Sequence, residues 1–234
     1  MKKIHRFLVD SIPDAALFTL DEPRLIHQVH TVLALRAGED ITLFTDGGPD
    51  ERVTIEKSDR DKLSVRRKET IDTTRTRPPL LLTVGISIPK GTTMELIVQK
   101  LTELGVYEIV PIISGRTVKA GVRMERLRSI SDEALEQCGG SNRVRLQNPL
   151  LLSDALAKYS LPSLVCEYGG TYLTDALQDN TEQLMLYIGP EGGWSEDDLR
   201  LFDEAGIQRI NLGGRILRTD TAAIAAAHAL LWGK

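Results

Sequence analysis

The residues best placed to do chemistry sit in two glycine-rich turns near the end of the chain. They are Ile188-Gly-Pro-Glu-Gly-Gly-Trp-Ser195 and Leu212-Gly-Gly-Arg-Ile-Leu-Arg-Thr-Asp-Thr-Ala222. Each follows an apolar run and opens a helix, and glycine lets a backbone come close to a ligand. The first turn has neither the Lys-Ser/Thr of a P-loop nor the spacing of a dinucleotide fingerprint. Ser195 is a good N-cap with Asp198 in the reciprocal position, so Glu196, Asp197 and Asp198 crowd the first helical turn. Those acids complement the positive end of the helix and would repel a phosphate. A neutral or cationic ligand fits better, and S-adenosylmethionine, a sulfonium without phosphate, is one. In the second turn Arg215 and Arg218 flank Ile216 and Leu217 at a loop tip, where binding and catalytic groups concentrate.

The elements that must position these turns change character along the chain. The first seventy or so residues read as brief strands at 6–10, 16–20, 40–44, 52–57 and 62–68, with a short helix at 27–36 stopped by Gly38. Short strands at close spacing predict a small β-barrel. The polar stretch 73–79, ending in Pro78-Pro79, marks a boundary. Beyond it strands and helices alternate. The apolar run 80–88 predicts a buried parallel strand, and Thr92 with Glu95 predicts a capping box. The following helix places Met94, Ile97, Val98, Leu101 and Leu104 on one stripe, and Gly105 ends it. Further strands at 106–113, 164–167, 184–188 and 209–212, with a helix near 123–138, predict an open α/β sheet with helices on both faces. The alanine-rich helix from Thr221 to Trp232 is apolar enough to require burial, beneath the sheet or in a dimer.

Bulk properties exclude several classes. At 41% hydrophobic and 26% charged residues the composition is that of an ordinary globular protein. No apolar run reaches membrane-spanning length, and the N-terminus lacks a signal-peptide core, so the cytoplasm is the expected location. The net charge of −4 divides unevenly: 14 bases against 14 acids in residues 1–77, and 15 against 19 in 78–234. Between Arg60 and Arg77 seven bases stand against three acids, a strip that would follow a phosphate backbone or form a solvated face. Cys138 and Cys166 read as small buried hydrophobes. His27 and His30 lack a third ligand nearby, so no metal is expected.

Taken together, the motifs resemble those of the SPOUT methyltransferases, specifically the bacterial small-subunit (16S) ribosomal RNA uracil N3-methyltransferase family. The two turns resemble that family's Ile-Gly-Pro-Glu-Gly-Gly and Leu-Gly-x-Arg-Ile-Leu-Arg-x-Glu-Thr-Ala signatures. Lys90-Gly91 through Glu103-Leu-Gly105, Ser114-Gly-Arg116, Glu136-Gln-Cys-Gly139 and Asn142-Arg-Val144 also match, and Arg6-Phe7 and Val32-Leu33 echo its N-terminal barrel. Asp220 replaces the usual Glu, Gly214 a common Pro, and Ala34 and Gly140-Ser141 usual arginines.

The resemblance implies a PUA-like β-barrel over residues 1–73 that docks ribosomal RNA. It implies a SPOUT domain over 74–234 whose parallel sheet is tied in a trefoil knot. It places S-adenosylmethionine, in a bent pose, against Val165, Cys166, Glu167, Ile188, Gly189, Pro190, Glu191, Gly192, Gly193, Leu212, Gly213, Arg215, Ile216, Leu217, Arg218, Thr221 and Ala222. The site is completed in a homodimer with the C-terminal helix at the interface. RNA contacts are expected from Arg6, Lys90, Arg116 and Arg143. Uracil N3 must lose its imide proton and lie near the methyl group. Glu191 and Asp220 are the candidate bases beside water. Arg218 either stabilises the uracil anion or positions backbone and phosphate. The substrate is small-subunit ribosomal RNA, free or in the assembled subunit. The alternatives are a sibling enzyme acting on a ribose 2′-hydroxyl or a transfer RNA guanine, and an RNA-binding protein without activity.

Overall fold

The structure, a computed structural model, describes residues 4–72, 78–117, 121–176 and 181–233. Two compact units emerge, Met1–Arg77 with Leu135–Arg143, and Pro78–Ala134 with Val144–Lys234. The stretch 73–77, with the expected boundary and Arg75 and Arg77, lies outside the described residues. Residues 135–143, expected in the second domain, pack with the first. Leu135 buries against Leu8 and Phe44, the Leu8 N–H donates to Glu136 at 3.1 Å, and the Gly47 N–H donates to the Ser141 carbonyl at 2.7 Å. Such distant pairings leave no periodic trace in the sequence.

In the first unit β1 (His5–Leu8), β2 (Leu17–Leu20), β3 (Asp40–Phe44), β4 (Asp50–Ser58) and β5 (Leu63–Ile71) form one sheet in the order β1-β3-β4-β5-β2. Its β1–β3 pair is parallel and the others are antiparallel. Among the described residues β1 and β2 end the sheet without pairing, so it is open and mixed where a closed barrel was expected. The helix expected at 27–36 starts earlier, as α1 (Pro23–Ile26) continuing into a π-helical turn, His27–Val32. Pro23 presets the first turn, and Ala34, at φ 48°, stops the helix early. Three bases of the strip are paired locally, Arg66 to Glu56, Arg67 to Asp14 and Glu51, and Lys68 to Asp40.

Arg6 is a correction to the expected RNA contacts. Its Nε and Nη2 donate to Asp50, Nη1 donates to the Leu135 carbonyl at 3.2 Å, and the guanidinium lies 3.5 Å from the Phe44 ring centroid. The two side chains are only 10% and 14% exposed. A guanidinium engaged on every side and shut from solvent holds the unit together and is not presented to a phosphate.

The second unit contains β6 (Leu81–Ser87), α2 (Thr93–Leu104), β7 (Glu108–Ile113), α3 (Met124–Cys138), β8 (Arg145–Leu146), β9 (Leu150–Leu151), α4 (Leu152–Lys158), β10 (Ser163–Tyr172), α5 (Leu173–Ala176), β11 (Gln183–Ile188), α6 (Glu196–Glu204), β12 (Gln208–Asn211) and α7 (Thr219–Trp232). The sheet order is β12-β10-β11-β6-β7-β8, with β9 also on β7, and every recorded pair is parallel. Both faces are buried, as a parallel sheet requires. Along β11, Leu184, Leu186 and Ile188 join the cluster of Ile97, Leu127 and Ala226. Met185 and Tyr187 point the other way, to Leu152 and Phe202. The alanine-rich α7 is buried within its own unit through Ala223, Ala226, Ala227, Leu230 and Leu231, leaving Thr221, Ala225, His228 and Trp232 exposed.

The two expected capping boxes part ways. Thr92 makes no side-chain cap bond, and the Glu95 N–H donates to its carbonyl at 3.0 Å instead. The Glu95 carboxylate turns to Arg126, 3.3 Å away. Ser195 and Asp198 form the full reciprocal box at the start of α6. Asp198, 4% exposed, also accepts the Gly115 N–H at 3.1 Å. A Cβ on Gly115 would stand 2.6 Å from Ser195 Oγ, so this close docking requires glycine.

Arg6→Ala should destabilise the protein by about 3 kcal/mol, because Asp50 is left buried and unpaired. Urea denaturation measures it, and a loss below about 1 kcal/mol would show that solvent compensates the pair. Asp198→Ala should cost about 2 kcal/mol through the lost cap and the orphaned Gly115 and Ser195 amides. Faster amide hydrogen exchange at Gly115 is the specific signature; unchanged exchange there would separate the two loops.

Candidate functional site

Three segments lie toward the carboxyl ends of the adjacent strands β11, β10 and β12, where open α/β sheets bind ligands. The first is a bulge in β10. Cys166 and Thr171 both pair with Ile210, so residues 167–170 are extruded from the ladder. The second is the turn 189–195 after β11, and the third is the turn 212–218 after β12. Between them lies a cavity of about 300 Å³. Volume alone does not select it: a larger space of about 640 Å³ opens at the amino ends of the strands, lined mainly by aliphatic residues such as Leu80, Leu164 and Leu230. That space contains none of the loop glycines.

Specific contacts hold the turns in place. The Gly193 N–H donates to the Pro190 carbonyl at 2.9 Å, with Gly193 at φ 70°. Trp194 is buried, packs edge-on against Phe202 at 4.9 Å, and donates from Nε1 to the Cys166 carbonyl at 3.2 Å. The indole therefore fastens the second segment to the first. Thr219 Oγ1 donates to the Gly189 carbonyl at 3.0 Å, fastening the third to the second. Glu191 Oε1 accepts the Lys90 N–H at 3.0 Å, and Arg116 Nη1 donates to the Gly192 carbonyl.

Most of the expected cofactor-binding residues meet at this cavity. All of 188–193 line it, as do Cys166, Glu167, Leu212, Arg215, Ile216, Leu217 and Ala222. Four do not. Val165, fully buried, belongs to the core cluster of Phe202, and this corrects its assignment: strand alternation turns it away from its neighbour Cys166. Gly213 shapes the turn, at φ 143° with its N–H on Asn211 Oδ1 at 2.7 Å. Arg218 occupies the N-cap of α7 and Thr221 its exposed face, both outside the cavity wall, as is the candidate base Asp220 in the first turn of the same helix. Lys90 and Arg116 are exposed beside the second turn, through the bonds to Glu191 and Gly192. Arg143 lies in the first unit, its N–H on Asp46 Oδ1 at 2.8 Å and its Nη1 3.9 Å from Asp10.

Tyr168 and Thr219, inside the loops 165–170 and 212–222 that the resemblance implies but not singled out as site residues, also line the cavity, and the sequence reading missed Ile210 and Asn211. Asn211 and Thr219 bracket the second glycine turn, a position that signals their role. Tyr168 reaches the cavity through the bulge, which no local pattern announces.

The wall suits a cation with an apolar body. Ile188, Ile210, Leu212, Leu217 and Ala222 supply apolar surface, and Glu167 and Glu191 supply two negative charges against the one positive charge of Arg215. Apart from Gly189, whose Cβ would stand 3.1 Å from Trp194 Nε1, the loop glycines would meet little protein if they carried side chains. A Cβ on Gly192 finds only Arg116 Cδ at 3.6 Å, and at Gly213 or Gly214 it finds nothing within 4 Å. Internal packing therefore does not require a glycine at Gly192. Burial pushes the Cys166 thiol up to about 12, with Glu167 adding to the shift, so it is no nucleophile at neutral pH.

A family model described as RNA methyltransferase domain matches residues 76–231. The ribosomal RNA small subunit methyltransferase E of Synechocystis is 30% identical over 88% of this chain and 71% of its own length. That of Mycobacterium bovis is 30% identical over 96% of this chain and 90% of its own. The crystal structure of ribosomal RNA small subunit methyltransferase E from Neisseria gonorrhoeae, bound to S-adenosyl methionine, superposes with a TM-score of 0.88 at 31% identity, covering 98% of each chain. A match across the whole sheet and its three loops, joined to relatives of this identity over nearly the full length, places the chain in the SPOUT ribosomal RNA methyltransferase family.

Proposed function

We propose that this protein is an S-adenosylmethionine-dependent ribosomal RNA methyltransferase that modifies N3 of one uridine in small-subunit (16S) RNA. The observation that carries the reading is the cavity at the carboxyl ends of β10, β11 and β12, walled by three loops and free of a phosphate cradle. Its largely apolar lining, with the carboxylates of Glu167 and Glu191 outnumbering the guanidinium of Arg215, fits a sulfonium-bearing donor. The family match and the cofactor-bound relative support the same chemistry.

When bound, the cofactor supplies an electrophilic methyl group. The second and third turns would hold it through backbone groups, with Leu212, Leu217 and Ala222 against its apolar parts and Glu191 near its positive charge. Of the two candidate bases, Glu191 lines the cavity and Asp220 does not. The Lys90 N–H on Oε1 orients the Glu191 carboxylate. Its Oε2 is the oxygen that would take the imide proton as N3 attacks. Arg218 and Asp220, at the start of α7, act on the RNA backbone or across a homodimer interface formed by the exposed stripe of α7. Lys90, Arg116 and Arg143 supply phosphate contacts. The N-terminal unit acts as a PUA-like RNA-docking module, and the third turn threads the sheet to complete a trefoil knot. Among the described residues no helix is long and apolar enough to cross a membrane, and the cytoplasm, where ribosomal RNA is processed, is the proposed location.

Gly192→Val should abolish donor binding in calorimetry while leaving the melting temperature within a few degrees of the parent; normal binding would remove the loop assignment. Mass spectrometry of ribosomal RNA from a deletion strain should show one methyl group missing from a small-subunit uridine. An unchanged spectrum would sink the choice of substrate.

A further inference from the structure

Tyr168 and Ile216 are two exposed hydrophobic side chains that meet at one cavity. Both are large and apolar, and both are strongly exposed, at 63% and 81%. Both line the same cavity, from different loops. Ile216 is the most exposed large hydrophobic residue among those described. A single exposed apolar side chain needs no explanation, but two at the mouth of one cavity mark a surface awaiting a partner.

The bulge that presents Tyr168 is built into the strand. Cys166 and Thr171 share Ile210 as partner, which forces residues 167–170 out of the ladder. Gly169 turns at φ 89°. Gly170 lies so close to β12 that a Cβ there would stand 2.7 Å from the Arg209 carbonyl carbon and oxygen. Two consecutive glycines, one for its dihedral angle and one for its close approach, hold the preceding tyrosine at the rim. Bulges placed this way re-aim a side chain beside an active site.

We propose that Tyr168 and Ile216 form the apolar rim on which the target base of the RNA is held for methyl transfer. This rests on the methyltransferase reading above. An enzyme that modifies a ring nitrogen acts on a single-stranded or an extruded base, and such bases are held by stacking on aromatic and apolar side chains. An aromatic face accepts any base, so the pair supplies holding, while the polar groups of the cavity supply choice. The deeper wall, formed by Ile188, Ile210, Leu212 and Leu217, is left to the donor. The exposed rim is continuous with it and lies on the solvent side, from which an RNA must approach.

Steady-state methyl transfer to small ribosomal subunits from a deletion strain tests this, with donor affinity measured in parallel by calorimetry. Tyr168→Ala should lower kcat/KM for the RNA about ten-fold, within the range seen for removing one base-stacking aromatic. Donor affinity and melting temperature should be unchanged. Tyr168→Phe should keep near-parental kcat/KM, since stacking needs the ring and not the hydroxyl. Ile216→Ser should lower kcat/KM several-fold by the same route. Full activity in both Tyr168→Ala and Ile216→Ser would overturn the proposal. A fall in donor affinity matching the loss of activity would overturn it too, assigning the rim to the cofactor. A change of oligomeric state in either variant on analytical ultracentrifugation would overturn it in favour of a second copy of the chain. Failure of the unmodified protein to methylate any subunit would instead strike the parent reading.

Discussion

The indole of Trp194 is the contact on which the site depends. Its Nε1 holds the Cys166 carbonyl and its ring rests on Phe202. Its edge fills the space beside Gly189, where a Cβ would stand 3.1 Å from Nε1. Gly189 in turn offers its carbonyl to Thr219. One buried ring thus couples the end of β10, the turn after β11 and the start of α7. Each turn alone is a short glycine-rich segment with high conformational entropy. Fastened together, they become a wall that is organised before any ligand arrives, which reduces the ordering cost of binding.

The parallel sheet makes that coupling possible. Register places β10 between β11 and β12, so three segments distant in sequence leave the sheet at one edge. Both faces are covered by apolar side chains in strict alternation, which is why Val165 serves the core and its neighbour Cys166 serves the cavity. Asp198 extends the organisation outward. By accepting both the cap amide of Ser195 and the Gly115 N–H, it keeps the segment carrying Arg116 beside the second turn, where Arg116 donates to Gly192.

Charge is arranged with similar economy. Bases in β5 that look available to RNA in the linear sequence are bound to acids on neighbouring strands or the adjoining loop. Arg6 is consumed by Asp50, Phe44 and the Leu135 carbonyl. Lys90 and Arg116, by contrast, are exposed beside the cavity. Cations nearest the proposed chemistry thus remain at the surface, whereas several in the first unit hold the fold.

Local chemistry was legible in the amino-acid sequence: the glycine turns, the Ser195–Asp198 cap, the helix stop at Gly105 and the alternation of strands with helices in the second unit. These depend on neighbours within a few residues, and dihedral preference and periodicity record them directly. Tertiary structure alone decided that residues 135–143 belong with the first unit, that its sheet stays open, that Arg6 is buried, and that Tyr168 reaches the cavity. Each of these turns on a partner far along the chain, and no local pattern encodes which distant carboxylate, carbonyl or strand edge will be there. The bulge in β10 shows the difference most plainly. Gly169-Gly170 announces a flexible point, but only pairing with Ile210 turns that point into a presented tyrosine.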